Sequence, residues 1–232
     1  LLRSLYYLAR AKVCVLDSYW PAVSALDHKS SLVVIQMWHA MGKLKKSGKA
    51  TVGLPAGRGR YTSEVLRIHE GYDYVVAGAP AWNKFYLESF GVPQDALLNI
   101  GLPRADYLVN GKEAIAKRIL EAYPELADGP VVLYAPTFRK AGGVGMGAKQ
   151  VVDELNPAGF KVVVKGHANQ TLLAADDTYW DCPEFTALEM LTVADYLVTD
   201  YSAISVEAAL IDVRTFYYHY DFDDYVETNG LN

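Results

Sequence analysis

Residues 196–210 read as a strand, a tight turn and a helix in immediate succession. Tyr196-Leu197-Val198-Thr199 is apolar and rich in β-formers, Asp200-Tyr201-Ser202 carries turn and N-cap chemistry, and Ile204 to Leu210 spaces apolar residues as a helix does. A parallel-sheet strand of this kind delivers a helix N-terminus to the sheet's carboxyl edge. Free N–H groups and the helix dipole favour an anion there, such as a diphosphate, which puts Asp200 and Ser202 at a ligand edge. A capped helix with nothing bound is the alternative reading of the same residues.

The same alternation runs through the chain. Leu1 to Ala11 is an amphipathic helix leading into a strand at Val13 to Leu16. Trp20 to Ser31 reads as loop, and Leu32-Val33-Val34-Ile35 is a second buried strand. After a glycine-containing loop from Gly53 to Gly59, the pattern predicts a helix over Tyr61 to His69 and a strand at Tyr74 to Ala77. It continues with a helix over Ala79 to Phe90, stopped by Gly91 and Pro93, and a short strand at Leu98 to Gly101. A helix over Lys112 to Ala122 precedes a second set of elements. That set has strands at Val131 to Tyr134, Phe160 to Lys165, Tyr196 to Thr199 and Thr215 to Tyr220, and a helix over Thr186 to Ala194. The expected fold is α/β, with two doubly wound Rossmann-like domains over 1–108 and 109–232 and a ligand cleft between their carboxyl edges.

Charge narrows the partners. With 22 basic against 27 acidic residues the formal charge is −5, which excludes a general nucleic-acid footprint. From Ala40 to Arg60 the balance reverses, with Lys43, Lys45, Lys46, Lys49, Arg58 and Arg60 and no acid. Such a run attracts a polyanion or anionic headgroups, or is a solvated face. Cys14 and Cys182 have neither metal nor redox spacing, which fits a reducing cytosolic setting. No apolar run reaches the length of about 20 residues that spans a bilayer, so membrane contact is expected to be peripheral. The first residue is Leu1 rather than Met, and the chain reads as a fragment of a longer protein.

Several side chains fall where a parallel sheet binds ligands. His39 ends the second strand, and Lys43 would share its face if the next turn is helical; a packed or surface histidine is the plainer reading. Arg139 lies just past Val131 to Tyr134 and offers a bidentate fork for phosphate. His167 directly follows another strand. Gly142 to Gly147 looks like a phosphate cradle but lacks the Gly-Lys-Ser/Thr ending of a P-loop, and it reads as a mobile loop. Asp221, Asp223 and Asp224 are acidic surface residues without EF-hand spacing, so no metal is called. Arg139, His167, Asp200 and Ser202 would line one wall of the cleft, and His39, Lys43 and the basic run the other.

These motifs, in order, resemble the CDP-glycerol glycerophosphotransferases, which include primases and polymerases of wall teichoic acid synthesis. The resemblance rests on Gln36-Met37-Trp38-His39 with Lys43, Gly101-Leu102-Pro103-Arg104 with Asp106, and Leu133 to Arg139. It continues through Lys165 with His167, Thr199-Asp200-Tyr201-Ser202, and Phe216-Tyr217 with Tyr220-Asp221 and Tyr225. Three positions depart from the family pattern. Ala40 stands for the usual glycine, Ala203 for a second serine, and Ala168 for a proline.

The resemblance implies a GT-B-like enzyme with further chain at both ends, an acceptor-side domain first and a nucleotide-donor domain second. A lipid-linked polyol-phosphate acceptor would attack a CDP-polyol and release CMP, without metal or other cofactor. His39 and His167 would be catalytic, and Pro136, Thr137, Arg139, Thr199, Asp200 and Ser202 would hold the donor phosphates. Lys43, Lys45, Lys46 and Lys49 would meet the acceptor or an anionic membrane on the inner face of the cell membrane. The alternatives are a UDP-sugar enzyme of the same fold, either a glycosyltransferase or an epimerase, and a catalytically lapsed nucleotide or polyanion binder.

Overall fold

The computed structural model describes residues 2–137, 139, 144–166 and 178–232. The chain divides into two compact units, residues 1–102 with 221–232, and residues 103–220.

The first unit carries a parallel sheet. Helix α1 (Leu2–Arg10) precedes β1 (Val13–Leu16), α2 (Pro21–Ala25) and β2 (Val33–Gln36), followed by α3 (Arg60–Val65), β3 (Tyr74–Val76), α4 (Asn83–Phe90) and β4 (Leu97–Leu98). The strands lie side by side in chain order, β1-β2-β3-β4, all parallel. Val34, Val75, Ala77, Tyr86 and Phe90 close the core beneath the sheet. Helix α9 (Phe222–Asn229) belongs to this unit, with Asp223 and Asp224 in its first turn, where carboxylates complement the helix dipole. No metal-holding cluster of His, Cys, Asp or Glu occurs among the described residues.

The second unit begins with α5 (Pro103–Ala122) and continues through β5 (Val131–Tyr134), α6 (Val144–Leu155), β6 (Lys161–Val164), α7 (Ala187–Met190), β7 (Tyr196–Thr199), α8 (Ile204–Leu210) and β8 (Arg214–Tyr217). Its sheet runs β6-β5-β7-β8, again all parallel. All of β5 is buried, as a central strand covered on both faces requires. On β7, Leu197 and Thr199 face inward and are fully buried, while Tyr196 and Val198 are half-buried on the other face.

Some elements differ from the sequence reading. The stretch 21–25 is a short helix with proline at its first position, where pre-set φ costs nothing. The helix after the glycine loop stops at Val65, and Arg67 and His69 take positive φ. Helix α5 is one unit of 20 residues through Gly111, so the expected junction at 108/109 falls inside a helix and the compact units part at 102/103 instead. Val144 to Gly147 is helix rather than loop, while 140–143 lie outside the described residues. Among the described residues no helix is long and apolar enough to cross a membrane.

Candidate active site

In the second unit the chain leaves β5 to one side for β6 and then returns to the other side for β7. The carboxyl ends of β5 and β7 therefore flank a topological switch point, where open α/β sheets bind ligands. Both loops that leave it carry residues singled out in the sequence. Thr199 is fully buried, and its hydroxyl donates to the Ala135 carbonyl at 2.7 Å, locking the two strand ends together. Asp200 is 2% exposed. Its Oδ1 accepts the backbone N–H of Thr137 at 2.8 Å and that of Tyr201 at 2.6 Å, and its Oδ2 lies 2.7 Å from the Arg139 guanidinium. A second Arg139 nitrogen donates to the Thr137 carbonyl at 2.8 Å, and the guanidinium faces the Tyr201 and Tyr220 rings at 5.2 and 5.8 Å.

This network corrects the expected picture in two places. The Arg139 fork is engaged by Asp200 and the Thr137 carbonyl, so it shapes the loop around it rather than standing open. The helix start also lies one residue late. The N-cap position of α8 is Ala203, which has no side-chain cap bond, and the Ser202 hydroxyl receives the Ile204 N–H only at 3.5 Å. Pro136 and Thr137 are buried at the end of β5, and the Thr137 Oγ1 is buried without a hydrogen-bond partner among the described residues. Such an atom costs about 1–3 kcal/mol until something fills its vacant bond. His167 lies outside the described residues. An apolar groove of about 540 Å³ flanks α6, but strand-face residues such as Tyr196, Val198 and Phe216 line it and offer little to a diphosphate.

Two partners in this unit were missed in the sequence. Glu207 on α8 is 3% exposed and meets the Arg104 Nε of α5 at 2.6 Å. Burial raises its pKa and the Arg104 charge opposes that rise. The signal was the lone charged residue in the run Ile204 to Leu210. His219 stacks between the Tyr201 and Tyr217 rings, at 5.0 and 5.7 Å, and steadies the loop after Asp200.

In the first unit, β2 ends in a fully buried Gln36. Its Nε2 donates to the Ser18 carbonyl at 3.1 Å and its Oε1 accepts the Trp38 N–H at 2.9 Å, which holds Trp38 at φ 59°. His39 is exposed beside it, its ring stacked on Trp38 at 4.3 Å. His39 Nδ1 lies 2.6 Å from the Asp17 carbonyl, which only accepts, so Nδ1 carries a proton and the lone pair of the neutral ring is on Nε2. That tautomer is the one a general base needs.

Lys43 is not part of a basic surface. Residues 40–47 are not helical, and the Lys43 side chain turns inward to 2% exposure, its Nζ 2.5 Å from the Ser47 hydroxyl and 4.7–5.0 Å from the rings of Phe90, Trp38 and Tyr86. Burial lowers its pKa to about 7. Lys45 bridges to Leu231, Lys46 is exposed, and Lys49 lies 3.8 Å from Glu70. His69, also missed, is buried beneath Trp38, and burial, with Lys43, Lys49 and Arg58 adding to it, pushes its pKa down to about 4.

A model of the CDP-glycerol:poly(glycerophosphate) glycerophosphotransferases matches residues 1–232. The chain belongs to this family. The teichoic acid ribitol-phosphate primase of Bacillus spizizenii is 30% identical over 236 residues, covering 97% of this chain and 61% of the relative. The teichoic acid glycerol-phosphate primase of Bacillus subtilis is 27% identical over 240 residues, covering 100% of this chain and 61% of the relative. The chain thus spans about three fifths of the length of these glycerophosphotransferase relatives. Among solved structures, a wall teichoic acid polymerase TagF soaked with CDPG superposes with a TM-score of 0.73 at 23% identity, over 95% of this chain and 57% of that one. A UDP-GlcNAc 2-epimerase from Neisseria meningitidis, bound to UDP-GlcNAc, gives 0.61 at 17% identity over 93% and 62%. These likenesses extend the shared α/β fold with parallel sheets beyond the glycerophosphotransferases.

Proposed function

We propose that this chain is the core of a GT-B-like enzyme that transfers a polyol phosphate from a CDP-polyol to a lipid-linked acceptor in teichoic-acid-type polymer synthesis. The second unit holds the donor, and the first receives the acceptor. The observation that carries this reading is the switch point of the second sheet, where a buried Thr137 hydroxyl without a partner among the described residues stands beside a loop fixed by Asp200 and Arg139 in a family of glycerophosphotransferases. The acceptor hydroxyl oxygen attacks the phosphorus that bears the polyol. The P–O bond to CMP breaks, CMP leaves, and the hydroxyl proton passes to His39 Nε2. Thr137, Ser202 and the N–H groups that follow it meet the diphosphate, with His167 as a second donor by family resemblance. Pro136 and Thr199 shape the strand ends beneath them. The reaction needs no cofactor. Lys45, Lys46 and Lys49 remain the residues assigned to an anionic acceptor or inner membrane surface.

CMP release from CDP-glycerol or CDP-ribitol, dependent on a lipid-linked acceptor, tests the proposal. Absence of turnover with both donors, with the folded chain still binding CMP, leaves the lapsed nucleotide binder. The likeness to a UDP-GlcNAc 2-epimerase supports a second reading, a UDP-sugar enzyme. Thermal stabilisation by UDP-sugars and not by CDP-polyols would select it.

A further inference from the structure

In the first unit, Tyr19, Gly48, Thr51, Gly57, Arg58 and His69 line a cavity of about 220 Å³, with no carboxylate among the described lining residues. Arg58 reaches over the Tyr19 ring, its guanidinium 5.0 Å from the centroid, and it forms no ion pair among the described residues. Glu70, the acid nearest in sequence to His69, is occupied by Lys49 at 3.8 Å and Arg67 at 3.1 Å.

The cavity wall is built to place His69. Gly48 has φ +57°, and a Cβ there would lie 2.4 Å from the Ser89 carbonyl oxygen and 2.7 Å from the His69 ring, so only glycine permits the approach. His69 Nδ1 is 3.0 Å from the Tyr72 hydroxyl, and its Nε2 side faces Gly48. Its pKa is pushed down to about 4, by burial first and then by Lys43, Lys49 and Arg58, which favours the neutral ring. The Tyr72 hydroxyl can donate to Nδ1, and in that tautomer the His69 Nε2 carries the ring N–H on the side of Gly48 and the cavity. A neutral ring N–H, an exposed arginine without an ion pair among the described residues, and a threonine hydroxyl that turns to a ligand by giving up its 2.8 Å bond to the Gly48 carbonyl, in a field set by Lys43, Lys49 and Arg58, suit a phosphate oxyanion.

We infer that this cavity is a binding site for the phosphate group of a polyol phosphate, held by Arg58, Thr51 and His69. The site rests on the proposed reaction for its purpose. Trp38 stacks on His39 at 4.3 Å and lies 6.1 Å from the His69 ring, so one indole separates the cavity wall from the proposed base. An acceptor built of polyol phosphates would then have a phosphate behind its terminal unit in the cavity and its terminal hydroxyl at His39.

Binding of the 232-residue chain to glycerol 3-phosphate and to bis-glycerol phosphodiester, followed by calorimetry or ligand-observed NMR, tests the site without turnover. Saturable binding that weakens at least tenfold in Arg58→Gln and in Thr51→Val, while Thr137→Val and added CMP leave it unchanged, supports the inference. Vesicles of phosphatidylglycerol identify the source. Arg58-dependent binding to vesicles alone makes the bound group a lipid headgroup, and binding of the soluble phosphodiester makes it an acceptor unit. No binding of either probe, binding indifferent to Arg58 and Thr51, or displacement by CMP overturns the site. If Arg58→Gln leaves acceptor KM unaltered in an active enzyme, this inference fails and the proposed reaction stands. Arg58-dependent binding in a chain without turnover separates the opposite case.

Discussion

Arg139 and Asp200 form a buried ion pair at the end of the central strands, with 2.7 Å between a guanidinium nitrogen and Oδ2 and side chains 10% and 2% exposed. The pair joins two loops that are far apart in sequence, and the other Asp200 oxygen fastens the backbone at Thr137 and Tyr201. Asp200 is thereby a positioning residue for the switch-point loops.

Asp200→Ala leaves a buried guanidinium without its carboxylate and two N–H groups without their acceptor. The expected loss of stability is about 3–5 kcal/mol, read from urea unfolding. Asp200→Asn keeps an acceptor for the N–H groups and loses the charge, so it should fall between wild type and Asp200→Ala. A loss below about 1 kcal/mol in Asp200→Ala would show that the loops hold without the pair.

Lys43 gives the chain an alkaline signature. Its folded pKa is about 7, against roughly 10.4 in an unfolded chain, so between these values the unfolded state binds the extra proton. Stability therefore rises with pH across that window, by at most about 1.4 kcal/mol per pH unit from this group. Urea unfolding at pH 7, 8 and 9 should show the rise, and Lys43→Met should remove it while stabilising the protein at pH 7. Identical pH slopes for wild type and Lys43→Met would mean that the ammonium is solvated.

Much of this architecture is legible in the sequence, and the exceptions have physical causes. Runs such as Val131 to Tyr134 read as strands because a parallel sheet buries both faces, leaving no alternation to confuse. His39 and Arg139 are legible as strand-end residues for the same reason. Lys43 is not, because its burial depends on Tyr86 and Phe90, more than 40 residues away, and nothing local separates it from Lys45 or Lys46. Helix α5 hides behind Pro103 and Gly111, each of which reads as a break, although proline at a helix start is favourable and one glycine costs only about 1 kcal/mol. Ser202 has the right chemistry for a cap, yet the turn carries it one residue too early to serve fully.

His39→Ala should lower turnover by about 10² to 10⁴ while leaving donor affinity nearly unchanged, since the ring is assigned to the acceptor proton and lies in the first unit, apart from Thr137 and Ser202 in the second. His39→Gln, which retains a hydrogen-bonding group without the base, should be similarly slow. Single-turnover CMP release with saturating donor measures both. A mutant within threefold of wild type would remove His39 from the mechanism.

Thr137→Val separates a binding role from a structural one. The Thr137 Oγ1 is buried and has no partner among the described residues, so there the hydroxyl contributes desolvation cost and no bond. Valine has nearly the same shape, and the substitution should leave stability unchanged or raise it by up to about 2 kcal/mol. If the donor diphosphate completes the bond, affinity for CDP-glycerol should fall by about 1.5–3 kcal/mol, the range for a hydrogen bond to a charged group. Ser202→Ala should cost the fold little as well, because the Ser202 hydroxyl caps α8 only through a 3.5 Å contact. Any loss of donor affinity in that variant then reports on the ligand and not on the helix. Thermal unfolding beside donor titration gives both numbers for each variant. Retained CDP-glycerol affinity with altered stability in Thr137→Val would make the residue part of the packing at the end of β5 and move the diphosphate elsewhere.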